Sequence, residues 1–155
     1  MSFAPASPVT GAAVSGLTSP TYTLTTDVAP NINGKQYAVS ALGGTQTGVE
    51  TNTVSKPFSI SFFRPQVLRQ LPQANPVTGV IKNVPMNTYK LITRKGVLPA
   101  SGQNAMVARI TTTIEIPAGS DSYEPEDLNA MISAHFGVGW ESATDIADTV
   151  ITGIL

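Results

Sequence analysis

The chain has 155 residues, enough for one domain and little more. Apolar residues make up 41% and charged residues only 12%, against about 25% charged in an average soluble protein, so part of the surface is expected to lie under another chain. Cysteine is absent and His135 is the single histidine, which excludes disulfides and thiolate sites and leaves little for acid–base chemistry; no stretch approaches the roughly 20 apolar residues of a membrane helix.

The formal net charge of −1 conceals a split. All nine bases lie between Lys35 and Arg109, while eight of the ten acids lie from Glu115 onward. Residues 1–114 therefore carry +7 and residues 115–155 carry −8. Asymmetry of this kind suggests a polyanion on one face and its repulsion from the other. The alternative is that the two halves attract each other within an ordinary fold, a weak effect for surface ion pairs.

Residues 1–20 are rich in Ala, Ser, Thr, Gly and Pro and carry no charge, the composition of a flexible or extended arm. Residues 1–17 hold no Lys or Arg and no continuous apolar run, so no secretory signal is expected there. Residues 21–28 are rich in Thr and β-branched side chains and predict a strand. Asn33-Gly34 is a hairpin signal, because both positions tolerate positive φ, and residues 35–42 are the returning strand. A short strand is predicted over residues 49–54, after Gly48.

From Lys56 the pattern alternates: Phe58, Ile60 and Phe62 share one side, Ser59 and Ser61 the other, the period of a half-buried strand. Residues 64–85 contain four prolines and read as an irregular insertion with one short strand over residues 77–82. Residues 88–97 form the next strand, with Tyr89, Leu91 and Thr93 opposite Lys90, Ile92 and Arg94. The longest spans residues 104–116, with Met106, Ala108, Ile110, Thr112, Ile114 and Ile116 on one side and Val107, Arg109, Thr111, Thr113 and Glu115 on the other. Most strands follow one another by a turn, so the sheet is antiparallel.

The period then becomes helical. Pro125 suits the first position of a helix, and Glu126 and Asp127 complement its positive end. Leu128, Met131, Ile132, His135 and Phe136 fall on one stripe, with Gly137 and Gly139 predicted to end that helix. A second helix is predicted from Trp140, with Ala143, Ile146, Ala147, Val150 and Ile151 as its stripe and Gly153 as C-cap. Strands first and helices last give an α+β fold, with two C-terminal α-helices on one face of the sheet. The expected organisation is an arm over residues 1–20 and one domain over 21–155, divided into a sheet part (21–117) and a helix pair (124–153). Two apolar helical stripes exceed what one sheet face covers, so an interlocked homodimer is expected, with Leu128, Met131, Ile132, Phe136, Trp140, Ile146 and Val150 at its interface.

Four stretches together resemble the coat proteins of single-stranded RNA bacteriophages, the levivirus-like family. They are the alternating strand at Pro57–Arg64, the basic strand ending in Val97-Leu98-Pro99, the long strand ending in Thr113-Ile114-Glu115-Ile116-Pro117, and the terminal helix pair closing in Thr152-Gly153-Ile154-Leu155. The resemblance covers residues 21–155; the longer arm and the insertion depart from the short members. It implies an N-terminal β-hairpin, a five-stranded antiparallel sheet and two helices. It further implies subunits joined edge to edge into homodimers with interlocked helices, and dimers closed into an icosahedral shell with the sheet toward the genome. The chain would then be a virion capsid protein assembled in the cytoplasm of a bacterial host, with itself and single-stranded genomic RNA as partners.

Lys90, Arg94 and Arg109 are the expected phosphate contacts, since alternation puts each on the polar side of a strand; Lys82 and Lys95 are weaker candidates. Small hydroxyl residues that hold an unpaired base in similar proteins match Ser59 and Ser61, with Thr111 and Thr113 on the facing side of the last strand. Asp121, Glu124, Glu126 and Asp127 lack the spacing of a calcium loop and suit a helix N-terminus, so no metal is expected. No catalytic residue, cofactor, small-molecule substrate or membrane partner is expected, and the chain is not expected to be an enzyme. The competing reading is a secreted or surface adhesin-type β module without nucleic acid, which leaves the basic strands and the helical ending unexplained.

Overall fold

The computed structural model describes residues 2–155; Met1, the first residue of the expected arm, lies outside the described residues. The elements run β1 (Val9–Thr10), β2 (Thr18–Asp27), β3 (Gly34–Thr45), β4 (Phe58–Phe63), β5 (Met86–Val97), β6 (Met106–Pro117), α1 (Ser120–Tyr123), α2 (Pro125–Glu141) and α3 (Ala143–Thr152). The six strands form one antiparallel sheet in the order β1-β2-β3-β4-β5-β6, so each strand pairs with its neighbour in sequence. This is the α+β arrangement that the alternation and its change of period predict, with the family's five strands in β2–β6 and a short sixth in the arm.

The arm is extended and held. Val9 and Thr10 pair with Tyr22 and Thr21, and a bridge between Val14 and Leu17 turns the chain back. Ser7 Oγ accepts the Leu24 N–H at 2.9 Å and donates to the Leu24 carbonyl at 3.2 Å. Phe3 stacks on Phe62 and meets Tyr37 edge-on, while Lys35 Nζ donates to Ser2 Oγ and the Phe3 carbonyl, both at 3.0 Å. The aromatic contact supplies burial that the uncharged composition does not advertise.

Three local expectations are overturned. Residues 49–54 and 77–82 form no strand. Their β-branched content favours strand only where a partner edge exists, and β3, β4 and β5 are already paired on both sides. Gly137 and Gly139 do not end the first helix: α2 continues to Glu141, and the break falls at Ser142, with α3 starting at Ala143 rather than Trp140. A helical glycine costs about 1 kcal/mol relative to alanine, which weakens a helix without terminating it. Gly153 does cap α3, at φ 74°, a left-handed conformation that glycine reaches without a Cβ clash. The β5–β6 register runs unbroken through Gly96, where a Cβ would collide with Lys56.

The core is thin. The buried apolar side chains are Pro20, Val39, Ile116 and Ala118, and neither α2 nor α3 has a buried residue. A compact protein of 16.2 kDa exposes about 7,500 Å². This chain exposes 10,895 Å², an excess of roughly 3,400 Å² over that scaling.

Candidate nucleic-acid interface

Strand register fixes which side chains share a face, because residues directly opposite one another point the same way. Ser59 faces Arg94, which faces Arg109; Ser61 faces Ile92, which faces Thr111; Phe63 faces Lys90, which faces Thr113. The three rows form a patch across β4, β5 and β6, with strands about 4.8 Å apart. Gln36 and Ala38 of β3 extend it, opposite Ser61 and Ser59. The other face carries Phe58, Ile60, Phe62, Tyr89, Leu91, Ile110, Thr112 and Ile114, and the helices lie on that side, where Leu128 and Ile132 line a cavity with Phe62, Tyr89 and Ile114.

Six of the expected contacts, Ser59, Ser61, Lys90, Arg94, Thr111 and Thr113, thus share one face with Arg109, the seventh. Lys90, Arg109, Thr111 and Thr113 are exposed and Arg94 is half-buried. Ser59 and Ser61 are 5% and 0% exposed, and Ser61 Oγ donates to Gln36 Oε1 at 2.9 Å. Their small side chains sink between longer neighbours, so they form the floor of the patch and not its rim. Beside them an open groove of about 660 Å³ is lined by Asp27, Gln36, Asn52, Ser59, Arg94 and Arg109.

The nine bases divide into three groups. Lys90, Arg94 and Arg109 lie on the patch. Lys35, Lys56 and Lys95 are engaged within the chain. Lys56 pairs with Glu50 at 2.8 Å, and the bond holds the Glu50 carboxyl below its usual range. Lys95 is opposite Phe58 on the helix side, sits 5.0 Å above that ring and donates to the Glu50 carbonyl at 2.9 Å; partial burial lowers its pKa. Arg64, Arg69 and Lys82 lie in the insertion. The weaker candidates Lys82 and Lys95 are therefore absent from the patch. Two acids border it: Asp27, held below its usual range chiefly by the Gln36 amide at 2.7 Å, and Glu115, which accepts from Thr88 Oγ1 at 3.3 Å. The sequence split thus overstates the cation on this face, which is a short row and not a field.

Phe63, Ile92 and Gln36 escaped the sequence reading. Phe63 and Ile92 supply apolar surface between the cations, of the kind on which unpaired bases stack. Continuing the β4 alternation by one residue would have placed Phe63 beside the serines.

The helix stripe is open. Met131, Phe136, Trp140, Ile146 and Val150 are all exposed, Val150 at 79%, while Leu128 and Ile132 are half-buried. A largely apolar cleft of about 1,050 Å³ runs between α2, α3, Val14 and Ile110. Beside it β6, twelve residues long, has no partner on its outer edge. Among the described residues, no three His, Asp or Glu side chains converge as a metal site would require.

No family model matches the chain, and no curated protein matches it. Among solved structures, the virus-like particle of bacteriophage ESE020 superposes with a TM-score of 0.96 at 48% identity, covering 99% of this chain and 100% of that one. The chain belongs to the levivirus-like phage coat proteins. The virus-like particle of Beihai levi-like virus 32, at 12% identity and a TM-score of 0.50 over 86% of this chain and 88% of that one, shares the fold. This coat protein is accordingly a capsid subunit.

Proposed function

We propose that two copies of this coat protein pair along β6, interlock their helices over the joined sheet, and assemble as dimers into an icosahedral shell that packs single-stranded RNA against the patch. The supporting observation is the two-sidedness of the sheet: Lys90, Arg94 and Arg109 occupy one face, while the apolar stripe and acids of α2 and α3 lie on the other. The excess of roughly 3,400 Å² of exposed surface is in the range of obligate interfaces. A long unpaired edge strand calls for a partner for the same reason. Leu128, Met131, Ile132, Phe136, Trp140, Ile146 and Val150 are the proposed interface, with β6 pairing beneath them.

Each cation on the patch displaces counterions from phosphate, so packaging is salt-sensitive and only weakly dependent on sequence. Thr111 and Thr113 offer hydroxyls to ribose or base edges, while Ser59 and Ser61 set the depth of the floor. An operator hairpin would be read here, with Phe63 and Ile92 as stacking surface. The chemistry is binding and assembly, not catalysis, and it takes place in the bacterial cytoplasm before the virion is complete. Expression of the chain alone tests this: uniform particles carrying nucleic acid are expected. Discrete small oligomers with protein-like absorbance would instead favour the adhesin-type module.

A further inference from the structure

The insertion between β4 and β5 is irregular yet tightly held. Arg69 N–H donates to Asn87 Oδ1 at 2.8 Å, and Asn87 Nδ2 returns a bond to the Arg69 carbonyl at 3.0 Å. Leu71 packs against Gly119, where a Cβ would lie 3.3 Å from its Cδ2. Asn75 builds the tip: its Oδ1 accepts the Val77 and Thr78 N–H groups at 2.8 and 3.2 Å, and its own N–H reaches the Val80 carbonyl at 3.1 Å. Val67, Leu68, Val77 and Val80 are nevertheless exposed, Val77 at 92%. A tip held by its own hydrogen bonds that presents valines to water is a surface shaped for contact.

Its charge points to the occupant. No Asp or Glu lies between residues 51 and 114, while the insertion holds Arg64, Arg69 and Lys82. Its anchor, Asn87, is opposite Ile116 on the helix side of the sheet, away from the Lys90–Arg94–Arg109 row. RNA on the patch is therefore a poor partner for it. The matching surface is the start of the helical segment, where Asp121, Glu124, Glu126 and Asp127 are exposed around Tyr123, itself 85% exposed. Within the chain, the one ion pair among the described residues is Lys56–Glu50, so Arg69 and Lys82 leave these acids free although Leu71 touches Gly119.

We propose that the 64–85 insertion of one coat-protein dimer docks on the acidic, Tyr123-bearing α1–α2 surface of a second copy in a neighbouring dimer. The contact holds dimers to one another, its valines against Tyr123 and its cations against the carboxylates. It rests on the shell reading above, and particle formation by the parent chain separates the two. If the parent chain forms no particles the shell reading fails; if it forms them and the variants below do not alter them, the docking fails.

The test uses the full chain with Val77→Asp, with Arg69→Glu plus Lys82→Glu, and with that pair combined with Glu126→Lys and Asp127→Lys. Dimer mass by light scattering, particle yield by sedimentation and nucleic acid per particle by absorbance are the readouts. Val77→Asp and the Arg69/Lys82 pair should leave dimers intact and lower particle yield about tenfold or more, since each loss of about 1.4 kcal/mol per contact is tenfold. The four-residue variant should recover most of the yield. Parental yields in the first two variants would overturn the proposal. So would particles of normal yield with less nucleic acid, which would give the cations to RNA, or dimers lost in Val77→Asp, which would put the tip inside the dimer. Should the Arg69/Lys82 pair fail to fold, Val77→Asp decides alone, because Val77 is 92% exposed in the single chain.

Discussion

The centre of the sheet and the terminal helices solve the same problem differently. β3, β4 and β5 are paired on both sides, and Val39, Ser59, Ser61 and Asn87 are buried there within one chain. α2 and α3 satisfy their backbones internally but bury no residue, and their apolar stripes stand in solvent. Hydrogen bonding gives each helix its shape, yet helices of 17 and 10 residues draw most of their stability from packing that this chain alone does not provide. The difference teaches that the sheet of the coat protein buries side chains within one chain, whereas the helices bury none there and, on the proposed pairing, would do so against a second copy.

The sharpest way to break that contrast is to put charge into the helices. Ile146→Asp with Val150→Asp should abolish the dimer at micromolar concentration, since an unpaired carboxylate in an apolar interface costs several kcal/mol, while circular dichroism keeps its β signal. Sedimentation velocity reads the mass; an unchanged dimer would place the interface elsewhere.

Next in size, Lys90→Glu with Arg94→Glu should leave dimers intact and lower nucleic acid per particle several-fold, with a shallower dependence of binding on salt. Unchanged RNA content would move the interface off this face.

A smaller effect tests the sheet's own cohesion. Phe3→Ala removes the stack on Phe62 and the edge contact with Tyr37, and should lower stability by about 1–2 kcal/mol in thermal melts, the residue being half-buried. The mass of the dimer should not change.

The smallest effect is on pH. The Lys56 bond holds Glu50 below its ordinary value, so its contribution is present at neutral pH and is lost as the pH falls below the ordinary carboxylate range of about 4. Thermal melts of Glu50→Gln and the parent chain should differ slightly near pH 7 and converge at low pH. A gap that widens on acidification would reverse the sign.

Alternation was legible wherever a strand had one apolar side. It separated Phe58, Ile60 and Phe62 from Ser59 and Ser61, and it put Lys90, Arg94 and Arg109 on the polar sides of their strands, the face they share in the fold. It failed where pairing partners decide the outcome: residues 77–82 look like a strand, but β4 and β5, which flank the insertion, are already paired on both sides. Composition misread the helix boundary, because Gly137 and Gly139 weaken a helix locally while the i→i+4 ladder continues past them to Glu141. Side-chain depth was also hidden. Nothing in the order of residues reveals that Gln36, a strand away, accepts the Ser61 hydroxyl and closes it off from solvent. Charge counting gave the correct sides but the wrong strength, since six of the nine bases lie off the patch, three in contacts within the chain and three in the insertion.

An electron cryo-microscopy map of particles formed by this chain alone bears most directly on the whole account. It should show β6 of one subunit hydrogen-bonded to β6 of a second, helices crossing above the joined sheet, and Lys90, Arg94 and Arg109 turned toward internal nucleic-acid density. A shell in which β6 stays unpaired, or in which that row of cations looks outward, would contradict it.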